Sequence, residues 1–260
     1  MRVTSGTAPT TNSPSVRPLR WITAALALTQ LAAPLVVTAL AGNFLQTGAT
    51  NQALITPAGY AFSVWGVITL LSAVIALAVL RFGLGSPWES SLLIDACLVF
   101  VGYSGWLAVA AQGWLWASVV VAAVMVGALI HILLLLVRRR DDLTCPSWLA
   151  TLTTLGFGLY LGWLGAAIFA NVAAALIGSG VSATGMWWQL VILVAAAAFA
   201  VMLTTLLRAP WGYLAGALWA LVAITIGAAQ RDSPVISVTA GAAALVVVAA
   251  TVRVRRAQRP

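Results

Sequence analysis

Side chains that could carry out acid–base, nucleophilic or metal chemistry are few in this sequence. Its 260 residues include one His, five Asp or Glu, two Cys and no Lys. These residues form no Ser-His-Asp set, no HExxH motif and no phosphate-binding loop. The two cysteines, Cys97 and Cys145, have no CxxC spacing and no neighbouring His pair, so neither a disulfide framework nor a metal site is predicted. An enzyme is therefore disfavoured, and no catalytic residue is assigned.

Two ionisable side chains lie inside apolar segments, where such residues are functional candidates. Asp95 lies near the start of the third predicted span, and His131 lies near the end of the fourth. Because the turn between these spans is midway between the two residues, both lie at nearly the same depth. An Asp95–His131 pair is either a proton-linked or ligand-gating pair, or a structural tie between two helices. The sequence favours the structural tie.

Aromatic side chains offer a different chemistry, namely stacking against a flat apolar molecule. The sequence contains 12 Trp. Six lie near predicted membrane interfaces, where Trp commonly anchors a helix: Trp21, Trp88, Trp148, Trp187, Trp188 and Trp211. Four lie further inside the predicted spans: Trp65, Trp106, Trp163 and Trp219.

Two of these interior tryptophans share a helix face with other polar or aromatic residues. In "YLGWLGAAIFAN", the spacing places Tyr160, Trp163 and Asn171 on one broad face, and in "FSVWG" Phe62 and Trp65 share another. Such a face suits a planar apolar ligand, because rings stack on it and an amide fixes its orientation. Ordinary helix packing, with Asn171 bonded to a neighbouring helix, explains the same pattern. The residues alone leave both interpretations open.

The elements that carry these residues are predicted to be membrane-spanning helices. The chain is 62% hydrophobic and 7% charged, whereas a soluble domain has roughly a quarter charged residues. Apolar runs of about 20 residues cross a bilayer as helices. Eight such runs occur, at 20–42, 57–80, 90–111, 113–137, 147–176, 187–207, 211–229 and 234–252. The predicted fold class is all-α, a polytopic transmembrane helix bundle of about eight spans.

The arginines predict the orientation of these spans. With the N-terminus inside, every Arg except Arg231 falls on the inner side, as the positive-inside rule requires. We therefore expect a multi-pass protein of the plasma (inner) membrane with both termini in the cytoplasm. The bilayer is the predicted partner, and nucleic-acid binding is not expected because the arginines form no stripe. Residues 1–19 are predicted to be a disordered cytoplasmic segment, and residues 253–260 a basic cytoplasmic tail.

Three stretches of the sequence, in the right order and on the right spans, resemble the tryptophan-rich sensory proteins (the TspO/MBR or translocator protein family). "TPAGYAFSVWG" is similar to the second-helix signature, in which Pro57 precedes Trp65 by eight residues. "GYSGWLAVAAQGWLWASVVVAAVM" resembles the third-to-fourth-helix hairpin, with Trp106 at the matching tryptophan. "YLGWLGAAIFAN" resembles the fifth-helix signature. The resemblance covers about residues 20–176, a five-span bundle, while 177–252 would add three transmembrane helices, as in a longer relative.

The sequence departs from the family pattern at several positions. Tyr103 replaces the asparagine expected in the hairpin, and Leu159 replaces the fifth-helix proline. Thr69 stands where a tyrosine is usual, and the proline pair of the second helix is reduced to Pro57. These departures bear on which ligand the site would accept.

The resemblance implies a bundle that binds porphyrins, sterols or similar flat hydrophobic molecules, with the first loop, 43–56, closing over the pocket. The implied ligand-binding residues are Pro57, Tyr60, Phe62, Trp65, Trp106, Tyr160, Trp163 and Asn171. Asp95 and His131 are not among them. A tetrapyrrole is thus the implied ligand, although no cofactor is firmly implied.

The sequence leaves two other functions as alternatives and is compatible with a homodimer. A proton-linked secondary transporter of a small hydrophobic substrate is the main alternative, although no inverted repeat is evident. An enzyme that modifies a bound tetrapyrrole is a third and weaker reading. Small residues in the spans permit close contact between two copies, so a homodimer is compatible with the sequence, but they identify no dimer face.

Overall fold

The computed structural model describes residues 16–41 and 52–258, and this part of the chain contains eight helices long and apolar enough to cross a membrane. They are α1 (Val16–Ala41), α2 (Val64–Phe82), α3 (Glu89–Ala111), α4 (Leu115–Arg138), α5 (Ser147–Gly178), α6 (Met186–Leu206), α7 (Trp211–Gln230) and α8 (Pro234–Ala257). Two short 3-10 turns, Gly59–Ser63 and Arg140–Asp142, complete the secondary structure. The predicted all-α bundle of eight spans is confirmed.

The first, second and last predicted spans differ most from the observed helices, and α8 continues to Ala257, beyond the predicted end at 252. Helix α1 begins at Val16, inside the segment expected to be disordered, and the rest of that segment, 1–15, lies outside the described residues. Helix α2 begins at Val64 and not at Pro57. A 3-10 turn over Gly59–Ser63 comes before it, and ahead of that turn the backbone N–H of Ala58 donates to the carbonyl of Ala223 in α7 at 2.9 Å.

Helix packing places α5 at the centre of the bundle. Helix α1 packs against α2 and α3, and α3 packs against α4. Both α2 and α4 pack against α5. Helix α7 packs against another part of α5, and α8 joins α7 to α6. The last three helices therefore extend the same bundle through α5.

Glycines allow α5 and α7 to approach at backbone distance. A Cβ added at Gly162 of α5 would lie 2.7 Å from the backbone nitrogen of Ala217. A Cβ added at Gly216 of α7 would lie 2.8 Å from the backbone nitrogen of Trp163. Neither position can hold a larger residue without moving a helix, so these small residues permit the close helix contact. The part of α5 that carries Trp163 is thereby fixed against α7.

A buried ion pair holds the N-terminal ends of α1 and α3 together. The Arg20 guanidinium donates to both Glu89 carboxylate oxygens, at 2.6 and 3.0 Å. Glu89 is only 2% exposed, and its second oxygen also accepts from the backbone N–H groups of Leu84 and Gly85. The carboxylate thus has four donors, so its charge and lone pairs are compensated in the interior. The turn between α2 and α3 is fixed against α1 as a result.

Residues 52–58, named the entry segment here, are not helical and pack against the four helices α5 to α8. Ala53 and Ile55 are each 2% exposed. They belong to one apolar cluster with Ala173, Leu193, Ile224, Ala228, Ile236 and Ala240, which come from α5, α6, α7 and α8. The last three helices therefore provide most of the surface that receives this segment.

Hydrogen bonds hold the entry segment to α6 and α7. The N–H of Leu54 donates to the side chain of Gln189 at 2.6 Å. Arg231 donates to the Thr56 carbonyl at 2.8 Å and to the Gln52 side chain at 3.0 Å. The Ala223 carbonyl that accepts from Ala58 lies seven residues before the end of α7, about 10 Å along the helix axis. Non-helical backbone at this depth is tolerated because protein, not lipid, surrounds it.

Candidate ligand-binding site

Trp65, in the first turn of α2, is the centre of a group of aromatic rings from three helices. Its ring centroid lies 5.0 Å from Tyr103, 5.9 Å from Trp106, 5.6 Å from Tyr160 and 6.3 Å from Trp163. Phe62 lies just before α2, and its ring is 5.6 Å from that of Trp163. These six residues, Phe62, Trp65, Tyr103, Trp106, Tyr160 and Trp163, are called the aromatic cluster.

Local sequence spacing explains how α3 and α5 present their rings. Tyr103 and Trp106 are three residues apart on α3, and Tyr160 and Trp163 are three apart on α5. Residues at this spacing are neighbours on one helix face. Each helix therefore turns a pair of rings toward Trp65, and the cluster forms where the two faces meet.

Burial differs across the aromatic cluster. Tyr103, Tyr160 and Trp163 are buried, whereas Phe62, Trp65 and Trp106 are partly exposed. The side formed by α5 is therefore closed by protein. The side formed by the start of α2 and the end of α3 is the accessible one.

Several buried N–H groups on α1, α3 and α5 have no hydrogen-bond acceptor among the described residues. They are the indole Nε1 of Trp106, the indole Nε1 of Trp163, the amide Nδ2 of Asn171 and the amide Nε2 of Gln30. A buried donor left unpaired costs about 1–3 kcal/mol. The site therefore has unused hydrogen-bonding capacity where the rings would hold an apolar molecule.

Three residues that the resemblance assigned to the pocket lie outside the ring contacts. Pro57 is buried in the entry segment. Tyr60 is 47% exposed, and its ring packs edge-to-face on Trp219 of α7 at 5.7 Å. Asn171 lies eight residues beyond Trp163, about 12 Å along α5. The predicted loop, 43–56, is described only from residue 52 onward, so its first part falls outside the described residues.

The structure adds two residues that sequence reasoning missed. Tyr103, read only as a departure from the family pattern, makes the shortest ring contact of Trp65. Gln30 of α1 is fully buried and accepts a hydrogen bond from the Tyr160 hydroxyl at 3.2 Å. The three-residue spacing between Tyr103 and Trp106 was a usable signal for the first. The signal for Gln30 was an isolated amide within an apolar span.

Trp219 has a different role from the other interior tryptophans. Its side chain is 39% exposed, and its indole N–H donates to the backbone carbonyl of Ala61 at 3.0 Å. It therefore supports the 3-10 turn before α2 and is not part of the aromatic cluster.

The predicted contact between Asp95 and His131 is present. His131 Nδ1 and Asp95 Oδ2 are 2.6 Å apart, which joins α3 to α4. The His131 side chain is 53% exposed and that of Asp95 is 16% exposed. The pair therefore lies on the surface of the bundle, and it is separate from the aromatic cluster.

These features define a class of protein, a multi-pass membrane helix bundle with an aromatic site between its helices. The family model described as "TSPO-like protein" matches residues 20–253. The chain therefore belongs to the family of TSPO-like proteins. The match continues beyond α5 through the last three helices, as expected for a longer relative of the five-span form. No curated protein and no solved structure matches the chain.

Proposed function

We propose that this protein binds a flat apolar ligand, such as a porphyrin or a sterol-like molecule, at the aromatic cluster. The observation that supports the proposal is the convergence of four rings on Trp65 from α3 and α5. Ring faces of this kind stack on a planar molecule, and a few polar groups orient it. The unpaired N–H groups nearby supply those polar groups.

Binding, with sensing or delivery of the ligand, is a better proposal than catalysis. The cluster consists of Phe, Trp and Tyr side chains, so only a Tyr phenol could transfer a proton, and the cluster contains no carboxylate, imidazole or thiol to act with it. Proton-linked transport gains no support from the geometry of the Asp95–His131 pair. That pair joins neighbouring helices at the bundle surface, so it matches the structural tie favoured by the sequence.

The proposal is tested by titrating the purified protein with protoporphyrin IX and following quenching of tryptophan fluorescence. We expect Trp65→Phe and Trp163→Phe each to weaken binding about two- to tenfold, because each removes part of a stacking surface. Trp187→Phe is the matched control, since Trp187 is 76% exposed near the start of α6 and makes no ring contact with the cluster. Wild-type affinity in both cluster variants would overturn the proposal.

A further inference from the structure

Unpaired hydrogen-bond donors are concentrated on the helices that surround the aromatic cluster. Among the described residues, seven buried side-chain nitrogen or oxygen atoms have no partner. Four of them are N–H groups on α1, α3 and α5, namely those of Gln30, Trp106, Trp163 and Asn171. The helices around the site therefore carry several free N–H donors.

Gln30 and Trp163 are the most deeply buried of these donors, and both are fully buried. The Gln30 carbonyl oxygen is already used, because it accepts from the Tyr160 hydroxyl at 3.2 Å. Tyr160 in turn contacts the ring of Trp65 at 5.6 Å. The free amide nitrogen of Gln30 and the free indole N–H of Trp163 thus lie beside the rings that would hold a ligand.

The charge distribution limits what can accept from these donors. Within the described residues, every arginine lies in a loop or near a helix end, and Arg20 of α1, ten residues before Gln30, is paired with Glu89. A carboxylate beside Gln30 and Trp163 would have no cation to compensate it, and burying an unpaired charge is costly. An uncharged acceptor has no such cost.

We propose that Gln30 and Trp163 determine specificity by donating hydrogen bonds to an uncharged acceptor in the buried part of the ligand. A carbonyl, an ester or an unprotonated ring nitrogen has the required chemistry. Any ionised group of the same ligand must then extend toward the outer end of the bundle. This inference rests on the proposed binding function and specifies the ligand class for that site.

Anthraquinone and anthracene are suitable probes, because they have the same flat three-ring body and differ in two carbonyl acceptors. Their binding to the full-length protein in nanodiscs is followed by tryptophan quenching, with empty nanodiscs correcting for partition into lipid. We expect anthraquinone to bind about tenfold more tightly than anthracene, the ratio that one or two hydrogen bonds to otherwise unpaired donors would give.

Gln30→Leu should remove most of this preference, because it should weaken anthraquinone binding more than anthracene binding. Gln112→Leu is the matched control, since it makes the same substitution at an exposed position between α3 and α4. Trp163→Phe is a second, independent variant that keeps a ring but removes the N–H, and it should also reduce the ratio of the two affinities. The infrared carbonyl band of bound anthraquinone should lie at lower frequency in wild type than in Gln30→Leu.

The outcomes separate the two proposals. Equal binding of anthracene and anthraquinone by wild type would overturn the specificity inference and leave the binding function standing. The specificity inference would also be overturned if Gln30→Leu and Trp163→Phe both kept the wild-type ratio of anthraquinone to anthracene affinity and the wild-type carbonyl band. Failure of both probes and of protoporphyrin IX to bind would overturn the proposed function itself.

Discussion

At the scale of single residues, a few side chains connect helices that are distant in sequence. Trp65 joins α2 to α3 and α5 through four ring contacts. Glu89 has a comparable role at the start of α3, where it receives two hydrogen bonds from Arg20 and two from the turn after α2. Trp65 itself is partly exposed, so one side of its ring is open. Glu89 is structural because its carboxylate is fully enclosed by donors.

Replacing Glu89 should destabilise the protein strongly. Glu89→Ala leaves the Arg20 charge and two backbone N–H groups without their acceptor, and losing one partner of a buried ion pair costs about 3–5 kcal/mol. We expect a lower thermal unfolding midpoint in detergent, monitored by intrinsic tryptophan fluorescence at a fixed scan rate. Asp141→Ala, which removes an exposed acid from the turn after α4, is the control. Equal midpoints for the two variants would show that the ion pair contributes little.

At the scale of elements, the entry segment gives the last three helices a defined role. It is bound by Gln189 of α6, by the Ala223 carbonyl of α7 and by Arg231 after α7. Burial lowers the pKa of Arg231 from its ordinary value, but an arginine remains charged near neutral pH. The segment leads directly into the 3-10 turn and then to Trp65. Its attachment therefore fixes the start of α2 and the position of the central ring.

Gly227 of α7 allows the backbone of the entry segment to lie directly against α7. A Cβ there would lie 2.6 Å from the Thr56 carbonyl oxygen and 2.8 Å from the Ala58 nitrogen, so Gly227→Ala must displace the segment. We expect amide hydrogen exchange in peptides covering 52–58 to accelerate about tenfold, since at least one backbone hydrogen bond weakens.

Gly241→Ala in α8 provides the matched control for this experiment. Its Cβ would meet only the Thr225 side chain, at an ordinary contact distance of 3.9 Å. Exchange in the entry segment should therefore stay at the wild-type rate. If Gly227→Ala and Gly241→Ala behave alike, the segment is not held by α7 in the way the structure indicates.

The resemblance to the five-span family predicts most residues of the aromatic cluster. The cluster contains five of the residues that the resemblance implies, namely Phe62, Trp65, Trp106, Tyr160 and Trp163. Four of them are also paired by their spacing in the sequence. The count of apolar runs began the second span at residue 57, whereas the 3-10 turn begins at Gly59 and α2 begins at Val64. Proline marks a break in local structure, but the length of the break depends here on hydrogen bonds to α7 that no local pattern encodes.

At the scale of the whole molecule, charge and helix order describe one orientation in the bilayer. If all eight helices span the bilayer, the chain ends on the side on which α1 begins, and the positive-inside rule assigns most arginines to that side. Arg231 is the exception on the other side. The structure gives a reason for it, since its guanidinium is bound to the carbonyl of Thr56 and the side chain of Gln52.

We expect the C-terminus to be cytoplasmic and the α3–α4 turn to face outward. Single cysteines introduced as Gln258→Cys and Gln112→Cys, in a Cys97→Ala, Cys145→Ala background, test this expectation. A membrane-impermeant maleimide should label Gln112→Cys on intact cells and Gln258→Cys only after permeabilisation. The opposite labelling pattern would invert the orientation, and labelling of both on intact cells would refute the even number of spans.

The sequence by itself determined the helical class, the number of spans and the presence of interior aromatic residues. These properties depend on composition and on periodicity within single helices, which local chain chemistry controls. Only the tertiary structure decided that Gln30 meets Tyr160, that Trp219 supports the turn before α2 and that α7 holds the entry segment. These contacts join residues 130, 158 and 175 positions apart. Partners so distant are chosen by how whole helix faces and small residues fit together, and no short stretch of sequence records that choice.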